Sequence, residues 1–300
     1  MDKGIKLKAY SAGVLFAILV GFSFLSTRVS VQIASPVEVL VFRFNFAFVM
    51  VCVTALFFKI ARPNVKGKKK ALACAGALYT GFMILQAIGL VIATSIEGAI
   101  MFAIVPIIAN IVARILLNET STWQQNVFVG ASVSAVIFMI IMSAGDIEVN
   151  LLGLILLMLS SVSLATANVL FRYVRQEHGP FSLTFFNSMF GFIVLNIWYI
   201  VYLLQTHGNI AEYFAPCANS QFVIATAYLG IACIVFTTWF MGYMMKHMEA
   251  IRATIFGNLS TAISIIAGVL ILREPMPLYN VVCVVVIVVG VVGVSKFAKT

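Results

Sequence analysis

EGAIMFAIVPIIANIVARILLNETSTWQQNVFVG, residues 97–130, describes an apolar helix, a short polar turn and the start of a second helix. A related stretch, ATIFGNLSTAISIIAGVLILREPMPLYNVVCVV, occupies residues 253–285 near the other end of the chain. Aligning Glu119 with Glu274 also superimposes three aliphatic positions: Leu117 on Leu272, Ile111 on Ile266 and Ile108 on Ile263. Because internal repeats determine the architecture of a chain, the two stretches predict one structural unit present twice.

A second correspondence lies upstream of the first. The eight-residue spacing from Arg28 to Pro36 recurs from Arg172 to Pro180, with a shift of 144 residues. The two glutamates aligned above are shifted by 155 residues, and the polar loop at 205–219 can absorb the difference of eleven. We therefore predict two repeats, which occupy residues 1–148 and 149–300.

The composition excludes a soluble protein of this length. Of the 300 residues, 62% are hydrophobic and 10% are charged, and the mean hydropathy is +1.09. Only a bilayer solvates so much apolar surface, and apolar runs of about 18 residues or more mark membrane-spanning helices. The backbone must satisfy its own hydrogen bonds in lipid, so we predict an all-α membrane protein. The ten apolar runs are 9–31, 37–58, 71–93, 98–117, 124–144, 150–172, 181–204, 220–244, 253–272 and 278–296.

The basic residues predict how the chain is oriented. With a cytoplasmic N-terminus, 16 of the 19 Lys and Arg residues fall in cytoplasmic segments or at helix ends, which agrees with the positive-inside rule. Ten spans also return the C-terminus to the cytoplasm. Five spans in each repeat make the second repeat enter the membrane from the opposite side, so the repeats are inverted. We expect a multi-pass protein of the cell (plasma) membrane that binds no nucleic acid, despite its net charge of +9.

Two features bear on processing and on metal binding. Three lysines precede the first apolar run, as in a signal peptide. That run is longer than the usual ~7–15 residues and no small-residue cleavage site stands out, so an uncleaved first helix is expected. The five cysteines are scattered and none forms a CxxC pair. We therefore expect no disulfide framework, no metal site and no cofactor.

Polar side chains inside the apolar runs are the candidate substrate-binding residues. Arg43 lies about six residues inside the second run, where a buried arginine costs roughly 2.5–3.5 kcal/mol on insertion scales. A cavity, a partner such as Glu38 or a substrate must compensate for this cost. A buried ion pair that joins helices is an equally weighted alternative. The predicted lining consists of Arg43, Tyr79, Gln86, Asn110, Asn168, Asn187, Trp239 and Asn258.

Three local patterns carry smaller predictions. Pro106 predicts a kink in the fourth run, because proline lacks a backbone donor. One of the hydroxyl residues at 120–122 is expected to cap the following helix. Three small residues spaced four apart predict a face for close helix contact: Ala73, Ala77 and Gly81.

The chain resembles the EamA-type carriers of the drug/metabolite transporter superfamily over nearly its whole length. The second copy departs from the first in carrying Thr261 at the position of Pro106. The resemblance implies a ten-helix bundle with cytoplasmic termini that exports or exchanges small metabolites. The residues that carry it are Arg28, Pro36 and Arg43, Pro106 with Glu119 thirteen residues later, Arg172 with Pro180, and Leu272, Arg273 and Glu274.

These observations predict a secondary transporter, an exporter of small polar metabolites such as amino acids that works by alternating access. The alternatives are a multidrug or lipophilic-cation efflux carrier and, behind it, a membrane-embedded enzyme. An enzyme would need a nucleophile–base pair or a metal cluster at membrane depth. His178, His207 and His247 all fall in or beside loops, and no Asp or Glu lies deep in a run. The expected partners are a small-molecule substrate and the lipid bilayer, and the expected state is a monomer, with a dimer as the alternative.

Overall fold

Every regular element that the computed structural model describes is a helix. The described residues are 3–57, 68–92, 101–102, 104–144, 150–174, 179–206, 209–272 and 278–297. The long helices in these ranges are α1 (Lys3–Val31), α2 (Pro36–Phe57), α3 (Lys69–Ile92), α4 (Val105–Leu117), α5 (Trp123–Ala144), α6 (Leu151–Val174), α7 (Pro180–Gln205), α8 (Ser220–His247), α9 (Phe256–Leu272) and α10 (Leu278–Lys296). Each overlaps one predicted apolar run. The Arg28 side chain and residues Glu97, Arg273 and Glu274 lie outside the description.

The all-helical fold and its apolar character are confirmed. Five stretches are long and apolar enough to cross a membrane, one in each of α2, α3, α6, α7 and α8. The outer surface is apolar as well, because four valines of α10 make one face that is more than half exposed. An exposed apolar face of this kind would favour aggregation in water but is compatible with contact to lipid. The four are Val282, Val285, Val289 and Val292.

Side-chain caps determine where three of the helices begin. The Ser35 Oγ accepts from the Glu38 N–H at 3.4 Å, and the Glu38 carboxylate accepts from the Ser35 N–H at 2.7 Å, which is a capping box at the start of α2. Thr122 and Gln125 form the same arrangement at the start of α5. Among the hydroxyl residues at 120–122, Thr122 is therefore the cap. The Asn219 Oδ1 accepts from two backbone N–H groups at the start of α8.

The predicted kink at Pro106 is wrong, because the proline does not bend a continuous helix. The chain turns at Ile104, and α4 begins at Val105, so the proline occupies the first turn of a new helix. Proline suits this position because the N–H that it lacks would have no partner in the helix. In the second copy, α9 runs without interruption through Thr261.

The small-residue face predicted on α3 is also wrong. Ala73 and Ala77 are exposed there. Close contact of α3 occurs at Gly89 instead, where a Cβ atom would lie 3.0 Å from Leu157 of α6. It also occurs on α1, where a Cβ atom on Gly13 would lie 2.6 Å from the Phe256 ring of α9. A Cβ atom on Gly21 would lie 2.7 Å from Ile263 of the same helix. The spacing of small residues therefore indicates a possible contact, but the helix rotation decides which stripe is used.

The main helix contacts form a regular pattern. In the described residues, α3 packs on α6 and α7, α4 on α6, and α2 on α7. The helix α1 packs on α8 and α9, α2 also packs on α8, and α5 packs on α10. Each helix can be replaced by the one five places further along the chain, counted cyclically so that α6 becomes α1 and α7 becomes α2. The same set of contacts results. The contact α3–α6 becomes α8–α1, α4–α6 becomes α9–α1, and α3–α7 becomes α8–α2. The contacts α2–α7 and α5–α10 each map onto themselves.

Candidate substrate-binding site

Arg43 of α2 lies in the interior of the bundle with an unsatisfied donor. Its Nε is buried and has no hydrogen-bond partner in the structure. The residue is the eighth of α2, about 10 Å along the helix axis from Pro36 at 1.5 Å per residue. The Tyr79 hydroxyl of α3 and the Cys233 thiol of α8 lie within electrostatic range of its charge. The residue as a whole is partly buried, so the unmet cost falls on this Nε, which is withdrawn from water without a partner.

Two further helices bring neutral polar groups to the same place. The Asn187 Nδ2 of α7 donates to the Thr238 Oγ1 of α8 at 3.5 Å. Thr238 also shares a hydrogen bond with the Tyr79 hydroxyl. The Asn187 Oδ1 is buried without a partner, like the Nε of Arg43. We call these five residues the Arg43 cluster: Arg43, Tyr79, Asn187, Cys233 and Thr238.

The backbone around the cluster is unusually close. A Cβ atom on Gly230 would lie 2.4 Å from the backbone carbonyl oxygen of Arg43. One on Gly191 would lie 2.1 Å from the ring of Phe44. Directly after Gly230, α8 widens into a π-helical segment, Ile231–Phe236. Such segments occur mainly as short interruptions of α-helices and are frequent at functional sites.

The structure places the other predicted lining residues separately. Asn110 donates to Ser121 and to Asn126, both at 3.1 Å, near the turn between α4 and α5. Asn258 donates to Ser132 of α5 at 3.1 Å. These two amides join helices to one another, as a structural role would require.

Three more of the predicted residues differ in their surroundings. Trp239 is 47% exposed, and its ring stacks on Phe236. Asn168 of α6 is 5% exposed. Gln86 follows Tyr79 by seven residues on α3, about two turns along the helix. The structure therefore joins Arg43, Tyr79 and Asn187, while Trp239 lies on an exposed surface.

Glu38 has partners other than Arg43. Its carboxylate accepts from Ser35, as described above, and from the Tyr199 hydroxyl of α7 at 2.8 Å. A second network lies beside it: the Asn45 Nδ2 donates to the Tyr213 hydroxyl at 2.7 Å, and that hydroxyl donates to Asn196. Tyr213 belongs to a short helix, Ile210–Phe214, in the loop between α7 and α8. These contacts tie α2, α7 and the loop together.

The Arg43 cluster lies between two ends of the bundle that differ in charge. Glu38 lines a surface cavity of about 790 Å³ together with Asn219 and Ser220, so it shares an end with the start of α8. The 28 residues of α8 span about 42 Å. Just beyond its other end, the N–H of Ala250 donates to the Glu119 carboxylate at 3.2 Å. We refer to the Glu38 end and the Glu119 end.

Sequence reasoning missed part of this arrangement. Thr238 and Cys233 were not among the predicted lining residues, and the only signal for Thr238 was a hydroxyl in an apolar run. Glu119 and Arg172 served only as marks of the repeat, yet they form an ion pair. In the part of the chain that the structure describes, no group of three His, Cys, Asp or Glu side chains could hold a metal ion.

Long apolar helices that surround polar groups such as these are typical of multi-pass membrane proteins with a polar site or path. Comparison with known sequences gives the family. The profile of the EamA-like transporter family matches residues 7–141 and again residues 151–296. The second match begins 144 residues after the first and ends 155 residues after it, which are the two shifts seen in the sequence. The chain therefore belongs to the EamA-like transporter family, and the resemblance is confirmed.

Individual relatives agree with this assignment. The chain is 34% identical to "Uncharacterized transporter YcxC" of Bacillus subtilis (strain 168), over 98% of this chain and 94% of that protein. It is 23% identical to "Uncharacterized transporter YyaM" of the same organism, over 93% and 91% of the two chains. An "Uncharacterized transporter" of Archaeoglobus fulgidus is 24% identical, over 87% and 89%. A crystal structure with 12% identity superimposes with a TM-score of 0.81, over 99% of this chain and 98% of that chain, and shares the fold.

Proposed function

We propose that this transporter is a secondary carrier that exports small polar metabolites, such as amino acids, across the plasma membrane by alternating access. The substrate binds in the Arg43 cluster, with Gln86 and Asn168 as further lining residues. Asn110, Asn258 and Trp239 are left out of the proposed lining, because their side chains bind other helices or face outward. The direction of net transport rests on the resemblance to export carriers.

One observation carries the choice of substrate. The Nε of Arg43 and the Oδ1 of Asn187 are both buried and both lack a partner. A buried donor of a cation that has no partner is costly, and an unpaired buried amide oxygen costs a further ~1–3 kcal/mol. A carboxylate accepts from the arginine, and an ammonium group donates to the amide. A zwitterionic metabolite therefore compensates for both atoms in one binding event.

The proposed orientation places the Glu119 end in the cytoplasm. Several cations cluster at this end, and the Nζ of Lys68 lies 3.7 Å from the centre of the Tyr173 ring. The Glu38 end carries Glu38 and Glu212 in the described residues. Cations are enriched on the cytoplasmic side of membrane proteins, so both termini are cytoplasmic. The cations concerned are Lys68, Arg172, Lys246 and Arg252.

The proposed mechanism follows from a doubled, inverted unit. The set of helix contacts is unchanged when each helix is exchanged with the one five places along, which supports two related five-helix repeats of a ten-span bundle. The proposed repeats occupy residues 1–148 and 149–300. Residues of both repeats meet in the Arg43 cluster, as expected for a carrier that rocks its halves around a central site. A monomer contains the complete site.

The first experiment is a ligand screen followed by transport. Purified protein in detergent is tested for thermal stabilisation by amino acids, organic acids, nucleobases and cationic drugs. Each compound that stabilises the protein is then measured as flux in liposomes with and without a pH gradient. We expect a zwitterionic compound to be transported, and the Arg43→Gln variant to lose at least about tenfold in apparent affinity, since one charge-assisted contact is worth ~1.5–3 kcal/mol.

The matched control is Arg114→Gln, which removes an exposed arginine of α4. It should leave affinity unchanged. Arg43→Lys should fall between the parent and Arg43→Gln, because it keeps the charge but not the fork of donors. Unchanged affinity in correctly inserted Arg43→Gln protein would make the arginine structural. Binding confined to lipophilic cations would replace the proposal with multidrug efflux.

A further inference from the structure

An ion pair joins the two halves of the chain at the Glu119 end. Glu119 lies in the turn after α4, and its Oε1 pairs with the Nε of Arg172 near the end of α6. Each side chain is 22% exposed, so the pair is largely removed from water. Glu119 belongs to the first family match and Arg172 to the second. The pair therefore bridges the two repeats.

The same two side chains also hold a junction between two helices. The Nη1 of Arg172 donates to the carbonyl oxygen of Met245 at 2.7 Å and to that of Met248, at the C-terminal end of α8. The Glu119 Oε2 accepts from the N–H of Ala250, the first residue of the short helix Ala250–Thr254. Backbone groups at helix ends lack helical partners. The arginine thus meets the negative end of one helix dipole, and the glutamate meets the positive end of another.

This junction is mechanically connected to the Arg43 cluster through α8. Thr238 precedes Met245 by seven residues, about 10 Å along the same helix. The π-helical segment Ile231–Phe236 lies on the far side of Thr238, so the intervening stretch is a regular helix. This regular stretch of helix is thus the physical link between the junction and Thr238.

We propose that Glu119 and Arg172 form a latch that closes the cytoplasmic end of the transport path. The two are positioning residues, which touch no substrate and act by holding α6, the α4–α5 turn and the end of α8 together. The latch rests on the proposed function, which places the substrate at the Arg43 cluster. Access from the cytoplasm requires that the ion pair and its three backbone contacts separate. The pair is closed in the structure described above.

The test measures access to the site without using a substrate. Cys233 is the reporter, because its thiol lies within electrostatic range of Arg43 and the residue is 3% exposed. The other four cysteines are replaced by alanine, and sealed vesicles of either orientation receive a membrane-impermeant thiol reagent. We expect Glu119→Gln to raise the rate of Cys233 labelling from the cytoplasmic face at least about tenfold, which corresponds to about 1.4 kcal/mol. Labelling from the outer face should not rise.

A second variant keeps the test informative if Glu119→Gln protein is not recovered. Arg172→Lys retains the charge but cannot bind the glutamate and two carbonyls at once, so it should give a smaller rise at the same face. The matched control is Arg252→Gln, which breaks an ion pair between neighbours, Arg252 and Glu249, at 3.1 Å. The two residues are three positions apart, and the Gln125 Nε2 can still donate to the Glu249 carboxylate in this variant, so labelling should stay unchanged.

Three results would overturn the latch. They are unchanged labelling in both latch variants, an equal rise from both faces, and the same rise in Arg252→Gln. Each is distinguishable from failure of the proposed function. A wrong substrate class would leave the labelling pattern intact, whereas a wrong latch would leave the Arg43→Gln transport result intact.

Discussion

Two glycines set how closely the helices approach Arg43. Gly191 of α7 faces the ring of Phe44, a side chain that is fully buried. Gly230 of α8 faces the backbone of Arg43 itself. A clash with the Phe44 ring could be relieved by a smaller side chain at position 44. A clash with the Arg43 carbonyl oxygen could not, because every residue carries that backbone group. Because these two glycines have no side chain, α2 can pack closely against α7 and α8 beside the Arg43 cluster.

Adding one methyl group at either glycine should destabilise the protein. We expect Gly191→Ala and Gly230→Ala each to cost about 1–3 kcal/mol, the usual range for overpacking, and to lower the melting temperature in detergent. Phe44→Leu should partly restore the stability of Gly191→Ala, because it removes the ring atoms that the new Cβ atom meets. No side-chain change should restore Gly230→Ala, since its Cβ atom would meet the Arg43 carbonyl.

The matched control for both glycine variants is Gly130→Ala. A Cβ atom at this α5 position meets nothing within 4 Å. Alanine favours the helix over glycine by up to ~1 kcal/mol, so this variant should be neutral or slightly stabilising. Equal melting temperatures for all three variants would show that the helices around Arg43 are not closely packed.

At the scale of elements, the short helix Ile210–Phe214 fastens the loop between α7 and α8 onto the bundle. The Asn209 side chain caps it by accepting from the Glu212 N–H at 3.1 Å. Tyr213 then reaches Asn45 and Asn196, and its ring packs against Phe42 at 5.5 Å. The Tyr213 hydroxyl therefore ties this loop element to α2 and α7. Burial raises the pKa of Tyr213, so the phenol stays protonated over the physiological range.

Removing this hydroxyl should loosen the element without emptying its space. We expect Tyr213→Phe to cost about 1–3 kcal/mol, because the Asn45 and Asn196 amides lose a partner in a partly buried position. Thermal unfolding in detergent measures the loss. Tyr202→Phe is the control, since the Tyr202 side chain is 54% exposed on α7 and should tolerate the change. If both variants unfold at the parent temperature, the hydrogen bonds of the Tyr213 hydroxyl contribute no stability.

At the scale of the whole molecule, the proposed orientation exposes the loop of Cys217 to the outside. Cys217 lies in the 3-10 helix Ala215–Ala218. Burial raises the pKa of its thiol above the usual 9.0. Because the thiolate is the reactive form, labelling should be slow near neutral pH and should keep accelerating above pH 9. Because Cys217 lies in this loop, its labelling reports on which side of the membrane the loop is.

Intact cells give the test of this orientation. A protein that retains Cys217 alone should react with an impermeant thiol reagent added to intact cells. The rate should keep rising to a higher pH than the rate for a free model thiol. Cys217→Ser abolishes the signal as the control. Labelling that occurs only in inside-out vesicles would reverse the proposed orientation.

The sequence by itself determined the all-helical membrane fold, the family and the doubled unit. These properties follow from the length and hydropathy of local runs and from residues that recur at shifts of 144 and 155. Both can be recognised in the sequence without knowing which residues are in contact. The cost of placing Arg43 in an apolar helix could also be predicted from hydropathy alone.

Only the tertiary structure decided which polar residues meet. Thr238 and Trp239 are neighbours in sequence, yet Thr238 contacts Asn187 while Trp239 is 47% exposed. Successive residues of a helix point about 100° apart, at 3.6 residues per turn, so helix rotation selects one and rejects the other. That rotation is set by partners far along the chain, such as Asn187 for Thr238 and Glu119 for Arg172. No local pattern records such partners, because each contact depends on how whole helices pack.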